Sequence, residues 1–245
     1  MGLAFETRPS DSSWVQSVWT CRSGAVTEMT SVATETWGLV LWEQDGRRLA
    51  AVSGPERATG TAPVPEGATF LGNQFAVGTS LRGVPTPALV DGGIELPEVS
   101  GGRFRLDGRR WEVPGADDAE ALVARLVADG TVQRDPLVTA ALRGDRPAVT
   151  DRTLERRFRA ATGLSRGAVR QIARAREAAV LLASGAPAAD VTFALGFYDE
   201  PHLARALRRY VGRTAGQLQD GEGGPLALDP AQRTTSYRSL ATPLA

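Results

Sequence analysis

The chain has 245 residues, of which 42% are hydrophobic and 23% charged, so it can form one large or two small domains with buried cores. No apolar run reaches membrane-spanning length, and the first 17 residues lack the basic start and apolar block of a secretory signal. The single cysteine, Cys21, excludes an internal disulfide. These features predict a protein of the reducing cytoplasm with no membrane partner.

The charge is unevenly distributed, although the formal net charge at pH 7 is zero. All 28 Lys and Arg positions hold Arg, and residues 143–219 contain 14 of them against 7 acidic residues. The rest of the chain contains 14 Arg against 21 acidic residues. A basic segment joined to an acidic one favours a nucleic-acid partner for the basic segment. Charge alone leaves chance fluctuation or codon bias open as the explanation.

Residues 1–115 are typical of a β-rich domain. Strand-forming runs at 14–19, 36–42, 69–75 and 102–113 are separated by Gly and Pro. Asp45-Gly46, a dipeptide typical of a tight hairpin turn, stands before a return strand at 49–52. We therefore predict a small sandwich or barrel-like domain over residues 1–115.

Residues 116–219 are typical of an all-α domain, so the predicted fold class is α+β. Capping residues and Gly stops delimit predicted helices at 119–128, 137–143, 151–161, 166–184, 187–195 and 200–211. Residues 220–245 are rich in Gly and Pro and are predicted to form a flexible C-terminal tail.

The last two predicted helices have the pattern of a helix-turn-helix. Leu203, Leu207 and Tyr210 recur at spacings of four and three, which places them on one buried face. The polar residues that point elsewhere are Glu200, His202, Arg205, Arg208 and Arg209. A short helix, a turn at Gly196 and a second helix with a basic outer face fit a unit whose second helix enters the major groove.

The predicted helix at 151–161 has a similar division of faces. Leu154, Phe158 and Ala161 share one face. The polar residues off that face are Arg152, Glu155, Arg156, Arg157 and Arg159. Arg can donate two hydrogen bonds to the edge of a guanine or bind a phosphate. On pattern alone, a solvated helix with Arg–Glu pairs is an alternative to DNA binding.

Three segments resemble the AraC/XylS family of transcription regulators. Residues 153–164 resemble the first signature of the family, residues 174–182 its central linker helix, and residues 194–214 its second signature. The resemblance implies a seven-helix DNA-binding domain with two helix-turn-helix units joined by a rigid helix. Double-stranded DNA is the partner that it implies, with both recognition helices in adjacent major grooves.

The resemblance also implies roles for individual residues. The base-reading candidates are Arg152, Glu155 and Arg156 in the first recognition helix and Glu200, His202 and Arg205 in the second. The candidates for phosphate contacts or surface charges are Arg157, Arg159, Arg208 and Arg209. For His202, a phosphate contact or a place at the edge of the core is also open.

One departure from the family pattern precedes the first recognition helix. Residues 144–149 form a longer connection that contains Pro147, where the family has a short turn. We therefore expect an irregular first unit, with the helix at 137–143 as its supporting helix.

The N-terminal part resembles, more weakly, the β-rich sensor domains that precede this DNA-binding domain in relatives. That resemblance implies a small-molecule effector or dimerisation. All five Trp lie in this part, and Trp14, Trp37 and Trp42 are the candidates for ligand binding because an indole is large, apolar and carries one donor. Trp in a small β domain is more often a core residue, and the sequence identifies no ligand.

Residue types argue against an enzyme. The only His is His202, so the β-rich region has neither the His cluster of a metal centre nor a His partner for a Ser or Cys nucleophile. The sequence has no G-x-G-x-x-G or Walker loop, and we interpret the carboxylates Glu95, Glu98 and Glu112 as solvated. We predict no catalytic residue, no metal and no cofactor.

Two functions are open at this point. The first is a sequence-specific transcription regulator of the cytoplasm, associated with the nucleoid and responsive to a small effector. A homodimer, and RNA polymerase if the protein activates, are further partners of this function. The alternative is a β domain that binds a small molecule or a protein, with a helical half that has lost DNA recognition. The sequence does not decide between activator and repressor.

Overall fold

The computed structural model describes residues 2–25, 28–97, 99–224 and 226. Strands dominate the first part and helices the second, which confirms the predicted α+β class. The strands are β1 (Leu3–Pro9), β2 (Val15–Ser23), β3 (Glu28–Ser31), β4 (Gly38–Gln44), β5 (Arg47–Ser53), β6 (Gly60–Pro63), β7 (Thr69–Phe75), β8 (Thr79–Leu81), β9 (Gly93–Glu95), β10 (Arg103–Leu106), β11 (Arg109–Glu112) and β12 (Val132–Arg134).

The helices lie between and after the last strands. They are α1 (Ala119–Ala128), α2 (Pro136–Leu142), α3 (Asp151–Thr162), α4 (Arg166–Ala183), α5 (Ala188–Ala194), α6 (Glu200–Tyr210) and α7 (Ala215–Gln219). Two short 3₁₀ turns, Thr86–Leu89 and Ala116–Asp118, lie before α1. Among the described residues, no helix is both long enough and apolar enough to cross a membrane.

The largest sheet has six strands in the order β1-β2-β7-β4-β5-β9, and each neighbouring pair is antiparallel. The predicted hairpin is confirmed, because Asp45 and Gly46 join β4 to β5 with φ values of 52° and 73°. Positive φ at both turn residues gives the twist that such a hairpin needs. The predicted run at 102–113 contains a second hairpin, β10–β11, which turns at Asp107-Gly108.

Helix α1 packs with the strands and not with the later helices. Leu122, Val123 and Leu126 are fully buried in one cluster with Phe75 and Phe104. The next element, β12, pairs with β8. The predicted helical domain started at residue 116, but these contacts place the chain through β12 with the strand-rich region. The apolar face of α1 needs a partner surface, and the sheet supplies it.

Helices α3, α5, α6 and α7 pack against α4. Ile172 and Leu182 of α4 are fully buried against Phe158 of α3 and Leu203 and Leu207 of α6. Two residues that precede β4, Val32 and Ala33, belong to the same hydrophobic cluster. The helical region therefore shares its core with a segment of the strand-rich region.

The predicted caps position the helices. Thr150 accepts a hydrogen bond from Thr153 N at 3.2 Å before α3, and Ser165 accepts one from Ala168 N at 3.1 Å before α4. Each cap satisfies an N–H that has no partner within the helix. Asp118 stands before α1 without a side-chain cap bond, because the 3₁₀ turn leads directly into that helix. Of the predicted tail, residues 225 and 227–245 lie outside the described residues, as does Glu98.

Candidate nucleic-acid interface

The second helix-turn-helix unit consists of α5, a five-residue turn and α6. Phe197 of the turn is 6% exposed and packs into the helical core. The Arg174 guanidinium of α4 lies 4.3 Å from the centroid of the Phe197 ring and donates from Nη1 to Gly196 O at 3.2 Å. Helix α4 therefore stabilises the turn through a cation–π contact and a hydrogen bond.

Arg174 is a structural arginine of this unit. Burial lowers the pKa of its guanidinium, and the neighbouring positive charge of Arg170 lowers it further. Arginine stays protonated even with such a shift, so the side chain brings a fixed charge beneath the turn. The sequence analysis placed Arg174 in the linker helix but did not assign it this contact, since the contact joins residues far apart in the chain.

Helix α6 buries one face and exposes a basic one. Leu203, Leu207 and Tyr210 are buried, as predicted. Arg205 and Arg208 are exposed on the opposite face, and Arg205 Nη2 lies 4.0 Å from Asp199 Oδ1. Of the other candidates, Glu200 is exposed in the first turn, and Arg209 is exposed with its guanidinium 5.3 Å from the Tyr210 ring.

His202 lies at the edge of the core, the alternative position that its place in the sequence left open. Its Nδ1 accepts a hydrogen bond from Tyr198 N at 3.3 Å, and its ring meets the Phe197 ring edge-on at 5.4 Å. The backbone N–H of His202 donates to the cap residue Asp199 at 2.7 Å. The imidazole thus stabilises the turn at the edge of the core and keeps Nε2 as its one free ring nitrogen.

The first unit, α2 and α3, is joined by the eight residues 143–150. The two helices are held by an ion pair in which Arg157 Nε lies 2.5 Å from Asp135 Oδ2. Asp135 also caps α2 by accepting from Leu137 N at 2.9 Å. Arg157 is therefore engaged within the domain, while the long connection contains Pro147, as the sequence indicated.

The exposed face of α3 carries a pair of arginines one turn apart. Arg152 and Arg156 are exposed opposite the buried face, and neither forms an ion pair within the part of the chain that the structure describes. Arg159 Nε, by contrast, lies 3.1 Å from Glu155 Oε1 on the same helix. Arg152 and Arg156 are therefore available to an external anion. The charge of Arg159 is largely neutralised by Glu155 on the same helix.

Helix α4 connects the two units. Its 18 residues give a length of about 27 Å at 1.5 Å per residue. Successive major grooves on one face of a duplex lie about 34 Å apart, a separation of the same order. The helices that bear the two basic faces, α3 and α6, both pack against α4.

Two aromatic side chains next to α6 were missed by the sequence analysis. Tyr198, just before the cap residue of α6, is 91% exposed, and Phe193 in the last turn of α5 is 88% exposed. An apolar residue in the position of Tyr198 often packs against the helix four residues beyond the cap, here at Leu203. The exposure of Tyr198 shows that this contact is not made, and no periodicity in the sequence signals it.

The three Trp candidates occupy different surroundings. Trp37 is a core residue, because it stacks on Phe75 at 3.8 Å and donates to Thr79 O at 3.0 Å. Trp14 lies at the edge of the core with the Arg134 guanidinium 4.4 Å from its ring. Trp42 lines an open cavity of about 670 Å³ that also involves Phe70. The structure does not bring the three together.

Reactive groups in the strand-rich region are few. Burial raises the pKa of the Cys21 thiol to about 11, which keeps it protonated and unreactive at neutral pH. Within the described ranges, no group of three or more His, Cys, Asp and Glu side chains is arranged to hold a metal ion. Glu95 is exposed at an edge strand, and Glu112 lies 3.3 Å from Arg103 Nη2.

Comparison with protein families identifies the helical region. A family model for a helix-turn-helix domain matches residues 145–221, which include α3 to α7 and begin after α2. Comparisons with curated proteins and with solved structures gave no match. The match confirms a helix-turn-helix domain in the C-terminal region, a class of domain that binds DNA in transcription regulators.

Proposed function

We propose that this protein is a sequence-specific transcription regulator that inserts α3 and α6 into adjacent major grooves of double-stranded DNA. The observation that carries the proposal is the coincidence of the helix-turn-helix match with two exposed, Arg-bearing helix faces joined by α4. Arginine on an exposed recognition helix suits both guanine edges and phosphates.

The available side chains suggest a division of roles. Arg152 and Arg156 of α3 and Arg205 of α6 are proposed as base readers, because they are exposed on the faces opposite the buried ones. The remaining predicted contacts are proposed at phosphates or at the rim of the interface: Glu155, Arg159, Glu200, His202, Arg208 and Arg209. Tyr198 joins them, since its exposed ring stands beside the first turn of α6.

The strand-rich region is proposed as the regulatory part. A small apolar effector with a polar group would fit the open cavity beside Trp42 and Phe70, which has Thr20 and Arg48 in its lining. Trp14 and Trp37 are not proposed as ligand contacts, because Trp37 is buried and neither residue lines this cavity. Homodimerisation and contact with RNA polymerase belong to the same proposal.

Gel-shift titration tests the proposed function. The full chain is titrated against a duplex from upstream of its own reading frame and against mixed genomic duplexes, at several salt concentrations. We expect specific binding with an affinity that falls steeply with salt, because phosphate contacts release counterions. Weak and sequence-independent binding throughout would contradict the proposal and favour the alternative, a small-molecule or protein-binding factor with a degenerate DNA-binding half.

A further inference from the structure

The C-terminal end of α6 is capped by the strand-rich region. Ala33 N donates to Tyr210 O at 2.8 Å, and Thr59 N donates to Arg209 O at 2.9 Å. Both carbonyls belong to the last turn of a helix, where intrahelical donors are lacking. The end of the second recognition helix is thus fixed by two backbone groups from outside the helical region.

The linker helix is tied to the same residue. Arg176 of α4 is 7% exposed and donates from Nη1 to Ala33 O at 3.0 Å. Ala33, which is fully buried, therefore uses its N–H for α6 and its carbonyl for α4. A shift of this one residue would displace both helices, because buried polar groups keep their partners.

The end of α3 rests on a different segment of the strand-rich region. Gly163 ends α3 at a φ of 74°, and a Cβ in its place would lie 2.6 Å from Val90 Cγ2 and 3.2 Å from Thr86 O. Only glycine permits so close an approach. Gly212, after α6, has the same relation to Thr59, whose Oγ1 would lie 2.8 Å from a Cβ.

These contact segments are bonded to one another. We call residues 31–34, 54–59 and 86–92 the cradle. Within it, Thr34 and Glu56 exchange backbone hydrogen bonds of 2.8 and 3.2 Å. Asp91 N donates to Pro55 O at 2.8 Å, and the Asp91 carboxylate lies 2.5 Å from Arg57 Nη2. The supports of α3 and of α6 are therefore parts of one hydrogen-bonded unit.

We infer that the cradle fixes the orientation of α3 relative to α6 and thereby sets the one half-site spacing that the protein accepts. This inference rests on the proposed function, since it requires both helices to contact DNA. One added base pair moves a half-site by about 3.4 Å along the duplex and rotates it by about 35°. Two recognition helices held at both α4 and the cradle cannot follow that movement without breaking a contact.

The test uses the full chain and an operator selected by it from a pool of random duplexes. Binding is then measured on operators in which the DNA between the half-sites is one base pair longer or shorter. Two variants loosen the cradle. Arg176→Met removes the donor to Ala33 O, and Asp91→Ala weakens the link between the two supports by removing the carboxylate that pairs with Arg57, while the backbone bond to Pro55 stays. Arg103→Ala, which breaks the exposed Arg103–Glu112 ion pair in the β10–β11 hairpin, is the matched control.

We expect the wild type and Arg103→Ala to lose about tenfold or more in affinity when the spacing changes by one base pair. Asp91→Ala and Arg176→Met should bind the selected operator within about threefold of the wild type and lose most of this discrimination. Because the Asp91 side chain is exposed, Asp91→Ala should fold. Its spacing profile therefore tests the inference even if Arg176→Met does not fold. General destabilisation would lower affinity for all spacings equally and leave the profile unchanged.

Two results overturn the inference alone: a wild type that tolerates the altered spacings, or an Asp91→Ala variant with an unchanged spacing profile. A selection that enriches no sequence would instead contradict the proposed function, and the inference would fall with it. The two failures are thus distinguished by the first step of the experiment.

Discussion

The two helix-turn-helix units differ in how their helices are held together. In the second unit, five residues join α5 to α6, and Arg174 and His202 support the turn through contacts with Phe197. In the first unit, eight residues join α2 to α3, the ion pair between Arg157 and Asp135 links the two helices, and Val138 of α2 is buried in the same cluster as Phe158 of α3. The family match includes all of the second unit but begins after α2.

This difference shows that a recognition helix can be positioned in two ways. The turn of the second unit is fixed around the buried Phe197 ring, which Arg174 and His202 contact from two sides. The first unit combines the Arg157–Asp135 ion pair and the packing of α2 on α3 with contacts of α3 to β8 and the Thr86–Leu89 turn. We therefore expect the second unit to contribute more to sequence specificity than the first unit. The following predictions test that expectation.

The largest expected effect is on the cores of the two units. Phe158→Ala should lower the free energy of unfolding by about 3–5 kcal/mol, because it leaves a cavity where a fully buried ring stood. Phe197→Ala should lower the free energy of unfolding by less, because the Phe197 ring lies in a turn and is 6% exposed. Urea denaturation measures both. Phe158→Leu is the control with a smaller volume change, and equal costs for the two alanine variants would show that the partial exposure of Phe197 does not reduce its contribution.

The next effect is on DNA. Arg205→Ala and Arg156→Ala should each weaken binding to a selected operator by about ten- to a hundredfold, with the larger loss for Arg205 in the better-fixed unit. Unfolding midpoints should stay unchanged, because both side chains are exposed. Footprints identical to those of the wild type would refute the assignment of either residue. Arg159→Ala, whose side chain is paired with Glu155, is the control with a smaller expected loss.

A third pair of variants removes the arginine contact that supports each unit, at Arg174 in the second unit and at Arg157 in the first. Arg174→Met should destabilise the fold by about 1–3 kcal/mol, since it deletes a half-buried donor and a cation–π contact. Arg157→Met deletes an ion pair of an arginine that is 47% exposed, so a cost of about 1 kcal/mol or less is expected. Only the second cost should shrink in high salt. A larger cost for Arg157 would reverse our ranking of the two units.

The smallest effect concerns the exposed aromatic residues. Tyr198→Ala should weaken operator binding by about threefold, through the loss of a ring beside the first turn of α6. Phe193→Ala, with nearly the same exposure but on α5, is the matched control and should leave DNA binding unchanged. Neither change should alter the unfolding midpoint. A greater loss for Phe193 than for Tyr198 would place the DNA on the α5 side of the unit.

Much of the helical region was predictable from local patterns. Apolar residues spaced by three and four residues indicated the buried faces of α3 and α6, and Thr150, Ser165 and Asp199 indicated where helices begin. These features depend on residues close in sequence, so local physics determines them. The Asp45-Gly46 hairpin was predictable for the same reason, because the turn needs only two residues with positive φ.

By itself, the sequence determined the fold class, the order of the helices and the placement of an excess of Arg on the helical half. Tertiary structure alone decided which arginines face solvent and which support a turn or join two helices. It also decided that His202 packs on Phe197, that α1 packs with the sheet, and that Ala33 holds α4 and α6. Such contacts join residues far apart in the chain, and no local periodicity or capping pattern records them.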